Sequence, residues 1–153
     1  MNGATLHILL VEDNADHADL LLRQLETFPV PLRFHQVEDG EAALDYVFGH
    51  HPYSDRAQFP MPDVVLLDWR LPRLDGEEVL RRLKNNPATA RLPVVVLTTS
   101  EAERDLAAAI ELRADKFLTK PADRQTLLRL LAELGFNNVQ SSSQNSARTS
   151  ANV

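Results

Sequence analysis

Five short apolar segments alternate with five amphipathic segments of helical length along this 153-residue chain. The apolar segments, read as strands, are residues 7–11, 32–37, 64–67, 94–97 and 117–118. The segments with helical spacing are residues 16–25, 40–48, 76–84, 101–112 and 124–134. This alternation predicts an α/β fold in which a parallel sheet carries helices on both faces. The third and fourth strands show no polar alternation, which is typical of central strands covered on both sides.

Composition narrows the class of protein further. Hydrophobic residues make up 44% and charged residues 25%, which are ordinary values for a globular domain. The absence of cysteine excludes disulfide scaffolds, thiolate metal sites and cysteine nucleophiles. A net charge of −6 argues against direct nucleic-acid binding. Because there is neither a long apolar run nor a basic N-terminal leader, we expect no membrane span and a cytoplasmic location.

The chain divides into one predicted domain and a tail. Residues 1–136 hold all the periodic segments, whereas residues 137–153 are almost entirely polar, and we expect that tail to be disordered. No DNA-binding or enzymatic output domain is therefore expected after the domain. The segment 49–62, with three prolines and Tyr53, is longer than most loops and is a candidate contact surface. His50 and His51 have no third ligand nearby, which favours a solvated loop over a metal site.

Polar residues stand where four of the predicted strands end. They are Glu12 and Asp13 after the first strand, Asp68 after the third, Thr98 after the fourth and Lys120 after the fifth. In a doubly wound sheet the carboxyl ends of the strands share one rim, and ligands bind there. The five side chains are therefore expected to converge. The alternative is that they only cap helices or face solvent.

The chemistry of this set suits a phosphoryl group and a cation. Carboxylates held close together repel one another unless a cation lies among them, and oxygen-only ligands favour Mg²⁺. Lys120 and Thr98 offer an ammonium and a hydroxyl for phosphoryl oxygens. Asp68 is then the candidate nucleophile, which would form an aspartyl phosphate.

Four motifs together resemble the response-regulator receiver domain of two-component signalling. They are Ile8 to Asn14, the Leu66-Leu67-Asp68 run with Leu71-Pro72 and Asp75-Gly76, Leu97 to Ser100, and Phe117 to Pro121. The resemblance covers about residues 6–135. It implies a flavodoxin-like doubly wound sheet of five parallel strands in the order 2-1-3-4-5.

The resemblance also implies roles for individual residues. Asp68 would be the phosphoacceptor, Glu12 and Asp13 the acidic pair that binds Mg²⁺ together with Asp68, and the backbone carbonyl of Arg70 a further metal ligand. Thr98 and Lys120 would contact the phosphoryl group.

A conformational switch and a cis peptide bond follow from the same resemblance. On phosphorylation Thr98 would move toward the phosphoryl group, and Phe117 would turn inward into the space released. Phe117 could instead be a plain core aromatic. The Lys120-Pro121 bond would be cis.

A finer resemblance concerns the partner. The chain resembles the small stand-alone regulators paired with bacterial phytochrome-type histidine kinases. The residues that carry this resemblance are Asn14 with Asp16, Leu44-Asp45-Tyr46, the long loop with Tyr53, Leu71 to Gly76, and Thr98 to Glu101. Leu20, Leu21 and Leu22 could meet a helical hairpin of the kinase, and the alternative for most of them is partly buried packing. Trp69 after the phosphoacceptor and the Arg113-Ala114-Asp115 run depart from the usual pattern.

We also expect a homodimer through the fourth helix, fifth strand and fifth helix. Ala107 to Ala109 and Leu128 would supply a small apolar surface, and scattered exposed apolar residues are the alternative.

The predicted function is that of a phosphoacceptor that takes a phosphoryl group from a histidine kinase on Asp68 and signals by protein contact. It would not be an enzyme beyond its own phosphorylation and dephosphorylation. One rival is a Mg²⁺-dependent phosphatase with an aspartyl phosphate, which needs an aspartate at position 70, where this chain has Arg. A second rival is a receiver-like binding module that is never phosphorylated.

Overall fold

Five parallel strands form one sheet in the order β2-β1-β3-β4-β5 in the computed structural model, which describes residues 5–109 and 113–136. The strands are β1 Leu6–Val11, β2 Leu32–Val37, β3 Val64–Asp68, β4 Val94–Thr98 and β5 Lys116–Thr119. The helices are α1 Ala15–Gln24, α2 Gly40–Phe48, α3 Gly76–Lys84, α4 Glu101–Ala109 and α5 Arg124–Glu133. The predicted fold class and strand order are confirmed.

Two apolar layers cover the sheet, one on each face. One layer joins alternate residues of the central strands to α2 and α3, and it includes Leu9, Val65, Val96 and Leu80. The other joins the intervening strand residues to α1 and α5. Every residue of β3 and β4 is buried, which explains the lack of polar alternation in these two strands.

Capping side chains set where the helices begin. Asn14, Asp39, Asp75 and Asp123 each accept a hydrogen bond from a backbone N–H in the first turn of the helix that follows. Because Asn14 caps α1, that helix begins at Ala15, one residue before the predicted start. The other predicted boundaries agree with the structure to within one or two residues, except at the end of α4, where residues 110–112 lie outside the described residues.

Gly76 is required by a close approach between α3 and the end of β3. A Cβ atom at this position would lie 2.6 Å from the carbonyl oxygen of Asp68 and 2.8 Å from the Cα of Trp69. The Gly76 N–H donates to the Trp69 carbonyl at 3.1 Å. The absence of a side chain therefore lets the helix begin directly beside the strand that carries Asp68.

Two other predictions concern regions away from the strand ends. None of the helices in the described part of the chain combines the length and apolarity needed to cross a membrane. The predicted disordered tail, residues 137–153, lies outside the described residues.

Candidate phosphoryl-acceptor and metal site

Three carboxylates meet at the carboxyl end of β1 and β3. Glu12, Asp13 and Asp68 each place an oxygen within 4.8 Å of the others. Glu12 is 2% exposed and Asp68 6% exposed, whereas Asp13 faces solvent. Since β1 and β3 are neighbours in the sheet, their ends bring the predicted acids together as expected.

Lys120 reaches this cluster from the end of β5. Its Nζ donates to Glu12 Oε1 at 2.6 Å and lies 3.6 Å from Asp68 Oδ2. The Nδ1 of His17, on α1, is 3.0 Å from the same ammonium group. The Lys120–Pro121 peptide bond is cis, as predicted. One ammonium therefore bonds to one buried carboxylate and lies close to a second.

The site holds more negative charge than its own cation offsets. Burial raises the pKa of Asp68 from 3.8 to about 7; Lys120 opposes that rise, and Glu12 adds to it. The Arg70 backbone N–H, 3.4 Å from Asp68 Oδ1, stabilises the ionised form. Such a group of hard oxygen donors with excess negative charge fits a divalent cation of the magnesium type. The role of the Arg70 carbonyl as a further ligand stays a prediction.

Thr98 is buried at the end of β4, but its hydroxyl is directed to a different partner. Its Oγ1 donates to Glu103 Oε1 at 2.7 Å and accepts from the Ser100 backbone N–H at 3.2 Å. Hydrogen bonds from Arg70 and Thr98 lower the pKa of Glu103 below its ordinary value, so Glu103 is ionised near neutral pH. The proposed contact of Thr98 with a phosphoryl group stays a prediction.

Glu103 and His17 were not among the site residues predicted from the sequence. Glu103 follows Ser100 by three residues, which is the Ser-x-x-Glu capping pattern at the start of a helix. That pattern was a usable signal for Glu103. His17 had none, because its proximity to Lys120, 103 residues away in the chain, depends on how α1 packs on the sheet.

A family comparison decides what kind of domain carries this site. The model of the "Response regulator receiver domain" family matches residues 8–132. This chain belongs to the response regulator receiver domain family. Its sheet order and the convergence of its strand-end residues agree with that assignment.

Two curated relatives match most of this receiver domain. Response regulator Rcp1 of Synechocystis is 38% identical over 81% of this chain and 82% of its own length. The probable methanogenesis regulatory protein FilR2 of Methanothrix harundinacea is 41% identical over 83% of this chain and 79% of its own length.

Solved structures of response regulators are also similar to this chain. The bacteriophytochrome response regulator AtBRR is 35% identical with a TM-score of 0.81, covering 91% of this chain and 99% of its own. The phosphorylated cyanobacterial phytochrome response regulator RcpA is 34% identical with a TM-score of 0.74, covering 91% and 98%. A third structure is the Mn²⁺-bound form of response regulator Rcp1. It is 34% identical with a TM-score of 0.72, covering 88% of this chain and 96% of its own.

Three further predictions concern residues outside the acid cluster: the switch residue and the two parts of the dimer surface. Phe117 is partly buried against the core layer that includes α2 and α3, and its switching role stays a prediction. Leu128, predicted to face outward, is only partly exposed because it packs against the opposite layer. Ala107 to Ala109 lie where side chains are not described, so the predicted dimer surface is not tested there.

The long segment 49–62 is held against the domain by aromatic and cationic contacts. Tyr53 and Phe59 pack against the core and against Tyr46, with ring centroids 5.1 and 6.0 Å from the Tyr46 ring. The Arg56 guanidinium donates to backbone carbonyls of Tyr46 and Val47 in α2 and of Phe59. His50 lies 3.4 Å from Asp45 and belongs to no candidate metal cluster in the described part of the chain.

Proposed function

We propose that this receiver domain accepts a phosphoryl group from a histidine kinase on Asp68 and passes the signal on by protein contact. The observation that carries this proposal is the arrangement around Asp68. Its buried carboxylate lies beside two further acids and within 3.6 Å of the Lys120 ammonium. Three carboxylates at one ammonium leave excess negative charge, and this supports phosphoryl transfer with a divalent cation.

In the proposed transfer an Asp68 oxygen attacks phosphorus while the bond from phosphorus to a histidine nitrogen of the kinase breaks. The nitrogen keeps the electron pair, and the histidine leaves as a neutral imidazole with its proton on the other ring nitrogen. The attacking carboxylate needs no general base, because it has no proton to lose when ionised. Lys120 would stabilise charge on the phosphoryl oxygens, and Thr98 would donate to another of them.

Glu12, Asp13, Asp68 and the Arg70 carbonyl would hold Mg²⁺. The ion would supply positive charge to the phosphoryl oxygens and relieve repulsion among the carboxylates. The relative Rcp1 has been crystallised in a Mn²⁺-bound form, which supports a divalent cation here. We also propose that this chain catalyses its own phosphorylation and dephosphorylation but no other reaction.

The proposed donor is a phytochrome-type histidine kinase. Support comes from the relatives, which include bacteriophytochrome and cyanobacterial phytochrome response regulators. A cavity of about 240 Å³ beside Lys120 is lined on one side by Leu20 of α1, which is 42% exposed. This apolar edge next to the phosphorylation site is suited to a helix of the kinase. The proposed place of action is the cytoplasm.

Phosphorylation by a small donor tests the central proposal. The protein is incubated with acetyl phosphate and Mg²⁺, and its intact mass is measured. We expect the wild type to gain one phosphoryl group, and Asp68→Asn to gain none. Asp19→Asn is the matched control, since Asp19 is exposed and pairs with Arg23 on the same helix, and it should behave as the wild type. No mass gain by the wild type, or an equal gain by Asp68→Asn, would favour a binding module that is never phosphorylated.

A second comparison tests kinase docking separately from chemistry. Leu20→Glu should slow phosphotransfer from a phosphorylated bacteriophytochrome kinase by roughly tenfold, because interface anchors lie near the centre of a docking surface. Its rate with acetyl phosphate should not change. Equal slowing with both donors would mean that the substitution disturbs the site rather than the interface.

We further propose a homodimer through α4, β5 and α5. Leu106 of α4 is 65% exposed, which supports an apolar contact on this side of the domain. Light scattering at micromolar concentration should give a dimer mass for the wild type and a monomer mass for Leu106→Glu. A monomer both with and without phosphorylation would contradict the proposal.

A further inference from the structure

The hydroxyl of Thr98 is fully engaged by α4 and its N-terminal turn. It donates to Glu103 Oε1 at 2.7 Å and accepts from the Ser100 N–H at 3.2 Å. A threonine hydroxyl has a single hydrogen and can donate to only one strong acceptor at a time. Thr98 therefore cannot donate to a phosphoryl group on Asp68 until the bond to Glu103 breaks.

Glu103 is itself fixed from the other side of the site. Its second oxygen, Oε2, accepts from the guanidinium group of Arg70, two residues after Asp68. Its backbone N–H donates to the Ser100 hydroxyl at 3.2 Å. The Glu103 side chain is 18% exposed, so it is mostly enclosed by these partners.

The local capping pattern is altered in a way that involves Thr98. In a Ser-x-x-Glu capping box the glutamate reaches back to the backbone N–H of the serine. Here the Ser100 N–H donates to the Thr98 hydroxyl, and that hydroxyl in turn donates to Glu103. The Thr98 hydroxyl thus takes a place inside the cap of α4, which connects the end of β4 to the start of the helix.

We propose that Glu103 is a positioning residue that holds the Thr98 hydroxyl away from Asp68 in the unphosphorylated protein, with Arg70 fixing Glu103 in place. This inference rests on the proposed phosphorylation of Asp68. Phosphorylation then requires the exchange of one acceptor for another, from the Glu103 carboxylate to the phosphoryl oxygen. Glu103 consequently sets how readily the domain becomes phosphorylated.

The rate of phosphorylation by acetyl phosphate at saturating Mg²⁺ tests this role. Glu103→Ala should react roughly fivefold faster than the wild type, the factor expected for the net contribution of one hydrogen bond. Glu101→Ala is the matched control, because it removes the same charge from the exposed first turn of α4, and it should react at the wild-type rate. Glu103→Gln keeps an oxygen acceptor for Thr98 and should lie closer to the wild type than Glu103→Ala.

A double-mutant cycle separates positioning from charge. In a Thr98→Ala background, Glu103→Ala should change the rate by less than about twofold, because no hydroxyl remains to be released. If the full acceleration persists without the Thr98 hydroxyl, or if Glu103→Gln equals Glu103→Ala, Glu103 acts only through its charge and the inference is wrong. An unchanged rate in Glu103→Ala itself would also overturn it.

An NMR measurement without phosphoryl donor distinguishes this inference from the proposed function. Three-bond couplings to the Thr98 methyl carbon report the χ1 rotamer of the side chain. We expect one rotamer in the wild type and in Glu101→Ala, and averaging over rotamers in Glu103→Ala. If the wild type takes up no phosphoryl group, the proposed function fails and the couplings alone decide whether Glu103 holds Thr98. A single unchanged rotamer in Glu103→Ala would show that it does not.

Discussion

Two lysines pair with aspartates at opposite ends of the same sheet, and their surroundings differ. Lys84 is 4% exposed, and its ammonium donates to the carbonyls of Ala90 and Leu92 and to Asp115 at 2.9 Å. The same Asp115 oxygen accepts from the Val94 N–H at 2.8 Å. The ammonium group thus uses its three donors, and one negative charge matches one positive charge.

Lys120 at the other end of the sheet faces an excess of negative charge. It bonds to Glu12 at 2.6 Å and lies 3.6 Å from Asp68, whose pKa is raised to about 7. The Lys84 ammonium has no donor left for a ligand, and its charge is matched by that of Asp115. At Lys120 the excess negative charge favours binding of a cation. The difference separates a residue pair within the fold from one at the proposed phosphorylation site.

The largest expected effect concerns the balanced pair. Lys84→Ala should lower the free energy of unfolding by about 3 kcal/mol, because it removes three hydrogen bonds of a buried ammonium and leaves the carbonyls of Ala90 and Leu92 without that donor. Urea unfolding measures this change. Lys116→Ala is the control, since its pair with Glu133 is exposed and should contribute less than about 1 kcal/mol. Equal losses in the two variants would mean that enclosure does not distinguish Lys84.

The sequence predicted the residues that meet at the Lys120 end of the sheet, but not the pair at the Lys84 end. The strand-end rule placed Glu12, Asp68 and Lys120 together, because parallel strands bring their carboxyl ends to a common rim. The order of the strands came from the resemblance to the receiver family, since the apolar runs alone predict only a parallel sheet with helices on both faces. These features depend on local pattern and on topology, which the sequence carries directly.

The balanced pair and the partner of Thr98 depend on packing instead. Lys84 and Asp115 are 31 residues apart, and a lysine near the end of an amphipathic helix is ordinarily solvated. Likewise, Thr98 was expected to face the acids, whereas its hydroxyl bonds to Glu103 in α4. Rotamer and helix placement decide both contacts, and neither has a fixed spacing in the sequence.

The second prediction concerns the acid cluster at the other end of the sheet, where a substitution should raise the free energy of unfolding instead of lowering it. In metal-free buffer at about pH 8, Asp68→Asn should raise the free energy of unfolding by about 1 to 2 kcal/mol, because it removes one of the crowded charges. Urea unfolding with EDTA present measures it. Asp115→Asn should lower stability under the same conditions, since that charge balances Lys84. A loss of stability in Asp68→Asn would contradict the imbalance at the site.

The pH dependence of this gain follows from the raised pKa of Asp68. Below its ordinary value of 3.8 the carboxyl is protonated in both folded and unfolded protein, and above about 7 it is ionised in both. Between these values the unfolded chain releases the proton first, so the wild type loses stability as pH rises. The advantage of Asp68→Asn should therefore grow over this range and be absent at its acid end.

The smallest expected effect is the response to the ion itself. Mg²⁺ at about five times its dissociation constant should stabilise the wild type by about 1 kcal/mol, as expected for a ligand that binds only the folded state. The change in thermal midpoint and the fluorescence of Trp69, the single tryptophan of the chain and the neighbour of Asp68, provide two measurements. Asp13→Ala removes an exposed ligand candidate and should abolish both responses. Lys84→Met should keep both, because the described partners of Lys84 and of Lys120 are different residues, and the contributions of the two sites should add. If Lys84→Met also lost the Mg²⁺ response, the two lysine sites would be energetically coupled, and the division between a structural and a chemical end of the sheet would not hold.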